Sequence, residues 1–275
     1  MPRRAPSLPA FATQFFSLGQ VDYEDCLTAQ KRLAYDAVTR GDGRMTVLLC
    51  EHPNVITIGR RGSRDQLQLT GAELAERAIT VRYVARGGGC VLHTPGQLAV
   101  YVITQLAWHG WSVGDFLRRL QSGLQHACSE LHVATNTLPE RFGLWGQSGM
   151  LAAVGVAVRF GATSHGAFLN VDPDLRSMRR VEVLPAAEYR ECATKNPRLP
   201  SRPVASSLLS ETAFPVKMAN VRAAVVSQLA AAFGCGTHQV LNHHPWLPEI
   251  RLPEIRLPGI QQPDQPGSDA RESAA

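Results

Sequence analysis

The sequence predicts an α/β (α+β) fold in a single domain, with a mixed sheet flanked by helices. Two observations carry that expectation. Short apolar, β-rich runs are interspersed with amphipathic stretches over most of the chain. The length, 275 residues with 44% apolar and 19% charged side chains, suits one large globular domain. A third observation sets its limits. After Gly236 the composition changes, and Leu247-Pro248-Glu249-Ile250-Arg251 repeats as Leu252-Pro253-Glu254-Ile255-Arg256 before decaying into Leu257-Pro258-Gly259-Ile260-Gln261. Proline every fifth residue blocks both helix and central strand. Residues 237–275 are therefore expected to form an extended, disordered tail, either solvated or used for docking. The Pro- and Arg-rich residues 1–12 are expected to be disordered as well, which leaves 13–236 as the folded domain.

Taken in order, Tyr23 to Val38 carries Leu27, Leu33, Ala34 and Val38 at helical spacing. Met45 to Cys50 and Val55 to Ile58 read as strands on either side of Glu51-His52-Pro53. Ile79 to Val84 and Gln97 to Thr104 read as strands that anchor a glycine-rich loop on a sheet. Val113 to Leu131 is an amphipathic helix with Leu117, Leu120, Leu124, Cys128 and Leu131 on one face. Met150 to Val158 and Ala167 to Val171 are β-rich, and Val221 to Phe233 is a closing helix.

Composition excludes several functions. No apolar run approaches the roughly 20 residues of a membrane helix. The start, Met1-Pro2-Arg3-Arg4-Ala5-Pro6, lacks the apolar core of a secretory signal, so a cytoplasmic location is expected. Six cysteines are scattered without a CxxC pair, which argues against a zinc site and gives no disulfide framework. The net charge of +5 is spread out and could favour an acidic partner, but no basic block points to nucleic acid.

The chemistry concentrates in residues 86–97, Arg-Gly-Gly-Gly-Cys-Val-Leu-His-Thr-Pro-Gly-Gln. Glycine costs more backbone entropy on folding than any other residue, so a run of three needs a conformational reason. Positive φ, or close approach of a ligand to the backbone, supplies one. The run is neither a GxGxxG fingerprint nor a P-loop. It reads as a site for a ligand with a polar head, with a ligand-free glycine hairpin as the alternative. Arg86 would clamp an anion or pin the loop through backbone carbonyls. His93 and His165 would move protons or bond the backbone.

This loop resembles that of the octanoyltransferase family of lipoate biosynthesis, in the biotin/lipoate protein ligase superfamily, whose form is R-G-G-Q-x-T-x-H-G-P-G-Q. Upstream, Leu49-Cys50-Glu51-His52-Pro53-Asn54-Val55 is similar to the family's L-x-E-H-P-x-V. Downstream, Gly143-Leu144-Trp145, Ala152 to Val156, His165 to Val171, Asp174-Leu175 and Ser206 to Glu211 match in order. The resemblance spans about 15–215. It implies a biotin/lipoate protein ligase-like fold without a cofactor or metal. It implies transfer of an octanoyl group from acyl carrier protein to a lysine of lipoyl domains, those of 2-oxoacid dehydrogenases and of the glycine cleavage H protein. The acyl group would be held by Arg86, Gly87, Gly88, Gly89, Cys90, Val91, Leu92 and His93, by Ala153, Val154 and Gly155, and by His165, Gly166, Ala167 and Phe168.

The family works through a cysteine thioester assisted by a lysine, a pairing in which an ammonium lowers the thiol pKa. Here the lysine position holds Met150, and counting forward from Asn170-Val171 places Leu184 at the cysteine position. Three readings follow. The chemistry has moved to Cys192 and Lys195, in a segment longer than the family pattern. Alternatively, Cys90 in the loop serves as nucleophile. Alternatively, the chain binds acyl groups without catalysis. An ATP-dependent lipoate or biotin-type ligase shares the fold and stays open.

Overall fold

The computed structural model describes residues 12–138, 141–184, 188–190 and 204–247. Eight strands form one mixed sheet, in spatial order Thr237–Leu241 (β11), Ala12–Gln20 (β1), Met45–Glu51 (β2), Gln97–Ile103 (β6), Ala162–Asn170 (β10), Met150–Arg159 (β9), Arg141–Trp145 (β8) and Asn136–Leu138 (β7). β1 runs parallel to both its neighbours, and every other pairing is antiparallel. A second sheet of three strands has Val55–Ile58 (β3) between Thr80–Tyr83 (β4) and Cys90–His93 (β5).

The helices are Tyr23–Arg40 (α1), Gly71–Glu76 (α2), Val113–Glu130 (α3), Leu175–Met178 (α4), Leu208–Glu211 (α5) and Met218–Phe233 (α6). α3 starts in a capping box in which the Ser112 hydroxyl accepts from Asp115 N–H and the Asp115 carboxylate accepts from Ser112 N–H. α1 and α6 stop at Gly41 and Gly234, both in the left-handed conformation. A Cβ on Gly123 would lie 2.7 Å from Leu229 Cδ2, so its absence lets α3 and α6 pack side by side.

Alternation along the strands divides the core. On β6, Leu98, Val100 and Val102 face a layer closed by α3 and α6, while Ala99, Tyr101 and Ile103 face a layer under α1. Each such fully buried aliphatic side chain contributes about 1.5–3 kcal/mol. β5 alternates too. Val91 joins the α1 layer, whereas Cys90 and Leu92 turn into a satellite cluster behind the small sheet with Ile56, Ile58 and Met178.

Two expectations change. The strands flanking the glycine loop belong to different sheets, and the loop itself contains β5, because β3 offers an open edge to the apolar run after Gly89. Residues 237–247 belong to the fold rather than to the tail. Thr237–Leu241 contains no proline and pairs with the open edge of β1. His244 meets Phe16 edge-on at 4.6 Å, and Leu247 is buried in the α1 layer. Residues 1–11 and most of the proline repeat lie outside the described residues. Among the described residues no helix is long and apolar enough to cross a membrane.

Candidate functional site

The glycine run is packed between three neighbours, and Gly88 and Gly89 each have a steric reason. Gly88 has φ +86°. A Cβ on Gly89 would lie 2.6 Å from the Val183 carbonyl oxygen. Across the gap, a Cβ on Gly155 of β9 would lie 2.4 Å from the Gly87 oxygen. Gly87 N–H donates to Val156 O at 2.9 Å, and the amides of Gly59, Arg60 and Arg61 donate to the carbonyls of Gly89, Arg86 and Gly88 at 3.0–3.1 Å. The loop carbonyls are thus held by the β3 side. The N–H groups of Gly88 and Gly89 donate to no acceptor among the described residues.

A cavity of about 270 Å³ opens between this run, β9, β8 and the start of α3. It is small beside the roughly 300–1,000 Å³ of drug-sized sites and suits a slender ligand. One end is apolar. Met150 and Leu184, 7% and 8% exposed, meet there with Trp145 and Tyr189 in one cluster. The two positions where the resemblance expects lysine and cysteine are therefore brought together, and both are aliphatic. No lysine and no cysteine lines the cavity among the described residues.

The lining is also cationic. Arg60, Arg61 and Arg86 line the cavity beside the glycine run and Arg141 lines it on β8; of these, among the described residues, Arg141 alone meets a carboxylate, that of Glu188 at 3.0 Å. Arg86 is 2% exposed. It donates to the Thr57 carbonyl and hydroxyl at 2.9 and 2.8 Å and to Gly87 O at 3.0 Å, while its Nε has no partner. Burial lowers its pKa, but a guanidinium keeps its charge, so among the described residues this is a buried cation without a counter-ion. Arg141 Nε and Trp145 Nε1 are likewise buried donors without acceptors. The arrangement fits a ligand with an electron-rich head and an apolar body.

His93 and its neighbours form a hydrogen-bonded chain of fixed direction. Gln97 offers Oε1 to His93 Nδ1 at 2.9 Å, so Nδ1 carries the proton. Nε2 then accepts from the Thr57 hydroxyl at 2.9 Å, the same hydroxyl that accepts from Arg86. Gln97 Nε2 donates to Asn170 Oδ1 at 2.9 Å, and Asn170 Nδ2 donates to Ser206 O at 2.9 Å and Met150 O at 3.3 Å. Burial, then the neighbouring His52 and Arg86, push the His93 pKa well below its usual value. His93 is a neutral link that ties Arg86 to the Met150 backbone.

Of the residues expected to surround the ligand, Arg86, Gly87, Gly88, Gly89, Val91, Ala153, Val154, Gly155 and Phe168 line the cavity. Cys90, Leu92, His93, His165, Gly166 and Ala167 do not. Cys90 and Leu92 lie on the far face of β5. The Cys90 thiol donates to Ser63 O at 3.3 Å, and burial raises its pKa despite Arg86 nearby. That position speaks against Cys90 as the nucleophile. Gly166 is small because a Cβ would lie 2.0 Å from Val100 O of β6, not because a ligand approaches. His165, at φ +59°, has its pKa lowered to about 4 by burial and then by Arg86 and Lys31. Cys192 and Lys195 lie outside the described residues. Sequence reasoning missed Arg60, Arg61, Arg141 and Trp145. The Gly59-Arg60-Arg61-Gly62 pattern was a usable signal for the first two, whereas the others reach the site only through strand pairing.

A larger hollow of about 1,050 Å³ lies between β1, β11 and α6. It has no glycine loop, and its charges satisfy each other. Arg222 meets Glu51 at 3.1 Å, and Glu51 also accepts from Gly96 N–H at 2.8 Å, which pins the Pro95-Gly96 turn.

Comparison with known proteins follows the same lines. Residues 22–230 match the family described as the lipoyl protein ligase A/B catalytic domain. A protein named octanoyltransferase from Geotalea uraniireducens (strain Rf4) is 38% identical over 164 residues, covering 60% of this chain and 73% of that one. Another of that name from Roseiflexus sp. (strain RS-1) is 30% identical over 234 residues, covering 84% and 91%. Among solved structures, the bi-partite lipoate protein ligase of Thermoplasma acidophilum has the same fold, with a TM-score of 0.58 at 15% identity, covering 84% of this chain and 87% of that one.

Proposed function

We propose that this chain, which belongs to the lipoyl protein ligase A/B catalytic-domain family, transfers an octanoyl group from acyl carrier protein to a lysine of lipoyl domains, including those of 2-oxoacid dehydrogenases and the glycine cleavage H protein. The observation that carries this reading is the cavity itself, lined by the unpartnered amides of the glycine run, by guanidiniums and by an apolar cluster. An octanoyl chain lies toward Met150, Leu184 and Trp145. Its thioester carbonyl faces the Gly88 and Gly89 amides, which stabilise the oxyanion as it forms. The cationic rim suits an acidic carrier protein.

The acyl acceptor in this reading is Cys192, with Lys195 beside it. Their segment leaves the described chain after Arg190, two residues beyond Glu188 at the cavity, and returns at Val204, whose carbonyl accepts from Met150 N–H at 2.8 Å. Cys192 is four residues from Glu188 in the sequence. The Cys192 thiolate attacks the octanoyl carbonyl, and the carrier thiolate leaves and takes up a proton. The lipoyl lysine amine, deprotonated, then attacks the cysteine thioester, forming the amide and releasing the Cys192 thiolate. Lys195, as an ammonium, holds the thiolate and shuttles the proton.

The aliphatic pair Met150 and Leu184 favours a second reading, in which the cavity binds an acyl chain without transferring it. Intact-protein mass spectrometry after mixing the chain with octanoyl-acyl carrier protein and an apo lipoyl domain separates the two. Transfer predicts an octanoyl adduct on the chain, mapped to Cys192, and an octanoylated lipoyl domain. Full transfer by Cys192→Ser overturns the assignment of the nucleophile. Binding of the carrier without adduct or transfer supports the second reading.

A further inference from the structure

We infer that Cys26, Cys50 and His52 form a site for a thiophilic d¹⁰ cation, Zn²⁺ or Cu⁺, beneath α1 and apart from the acyl cavity. The three ligand atoms lie within 4.8 Å of one another, and all three side chains are buried. Their positions, 26 on α1, 50 on β2 and 52 in the turn after it, match no metal-binding spacing, and only the fold assembles them. The Cys50 Sγ to His52 Nε2 separation is 3.7 Å. Two ligands on one tetrahedral zinc, at about 2.3 Å for sulfur and about 2.0 Å for nitrogen, stand roughly 3.6 Å apart.

The outer partners that such a site needs are already in place. His52 Nδ1 donates to the Val21 carbonyl at 2.7 Å, which fixes the tautomer and leaves the Nε2 lone pair on the side of the thiols. Gln30 Nε2 donates to Cys26 Sγ at 3.7 Å, an N–H···S contact that favours a thiolate. Gln30 is held in turn, because its Oε1 accepts from His165 N–H at 2.7 Å. The Tyr101 hydroxyl, 2.8 Å from His52 Nε2, either rotates aside or supplies a fourth donor. A bound cation displaces the thiol protons and takes their place between the sulfurs. Soft thiolates with one imidazole select zinc or copper(I) over magnesium or calcium. The site is one ring removed from the acyl cavity. His52 meets His93 at 5.9 Å between centroids, and His93 meets Phe168, a cavity residue, at 4.4 Å.

The test uses the full chain titrated with Cd²⁺ under reducing conditions. The expected result is an ultraviolet thiolate-to-cadmium band that saturates at one equivalent per chain. Cys26→Ala and Cys50→Ala each reduce it at least tenfold, and Cys235→Ala leaves it unchanged. X-ray absorption on the wild-type complex, which needs no variant, should show two sulfurs and one nitrogen around the metal. Metal analysis of chain isolated from zinc- or copper-supplemented cells identifies the native ion. Absence of the band at equimolar Cd²⁺, or a band that survives both cysteine substitutions, overturns the inference. So does recovery of Cys26 and Cys50 as a disulfide from reducing cytosol.

Discussion

Gly155→Ala probes the contact on which the cavity depends. The new Cβ would stand 2.4 Å from the Gly87 oxygen and 3.1 Å from its carbonyl carbon, against an ordinary contact of 3.4 Å or more. β9 is fixed by β8 and β10 on either side, so the glycine loop has to withdraw by about 1 Å. The Gly87 N–H to Val156 O bond, now 2.9 Å, then stretches beyond hydrogen-bonding range. Losing it costs about 1 kcal/mol, and the strain of overpacking adds about 1–3 kcal/mol. A total of about 2–4 kcal/mol lowers the midpoint of thermal unfolding by roughly 5–15 °C for a domain of this size. The cavity also widens at its polar end, so octanoyl transfer falls with the stability. Gly71→Ala serves as the control, because its Cβ would meet nothing within 4 Å. The measurements are calorimetric unfolding and initial rates of lipoyl-domain octanoylation. If Gly155→Ala unfolds within a degree of wild type and keeps its rate, the loop does not rest on β9 and the account of the cavity is wrong.

Two further outcomes follow from the same geometry. The double substitution Met150→Lys with Leu184→Cys places a thiol and an amine at adjacent positions of the apolar end; the octanoyl adduct should then map to residue 184, and a folded double variant without that adduct would show that these positions do not face the acyl group. His165 is buried and neutral, with its pKa lowered to about 4 from 6.5. The unfolded chain therefore binds more protons between those values, and stability fully present above pH 6.5 is lost as pH falls toward 4, by on the order of 3 kcal/mol. Urea unfolding at a series of pH values should show a slope that includes this contribution, and His165→Asn, which tolerates the positive φ, should reduce it by that amount while His52, His93 and His109, lowered in the same direction, keep the remainder.

Local periodicity made much of the scaffold legible. α3 announces itself through Leu117, Leu120 and Leu124, and β2, β3 and β6 through short apolar runs. The glycine loop was legible because three glycines admit few explanations. What escaped was long-range. β1 and β11 are assigned by pairing with each other and with β2, partners that no local window contains. Cys90 and Leu92 miss the cavity because Cys90 to His93 is a strand, and a period of two sends them away from Val91. Arg141 and Trp145 enter the site from β8, some fifty residues along the chain. Cys26 and Cys50 are brought together only by a helix laid across a sheet, which no spacing in the sequence shows.

The pairing of the first strand with the last bears on how the protein is made. Ala12 sits opposite Thr237, so one side of β1 has no partner until the chain has been synthesised as far as β11. At about 5–20 residues per second, that interval is on the order of ten to forty seconds. Throughout it, the nascent chain carries an open edge beside Phe15 and Phe16, both buried in the finished fold. The contacts of β1 with β11 join residues far apart in sequence, which places their formation among the slow, high-contact-order steps of folding. A ribosome-bound chain of this protein is thus a sheet waiting for its final strand and open to capture by a chaperone.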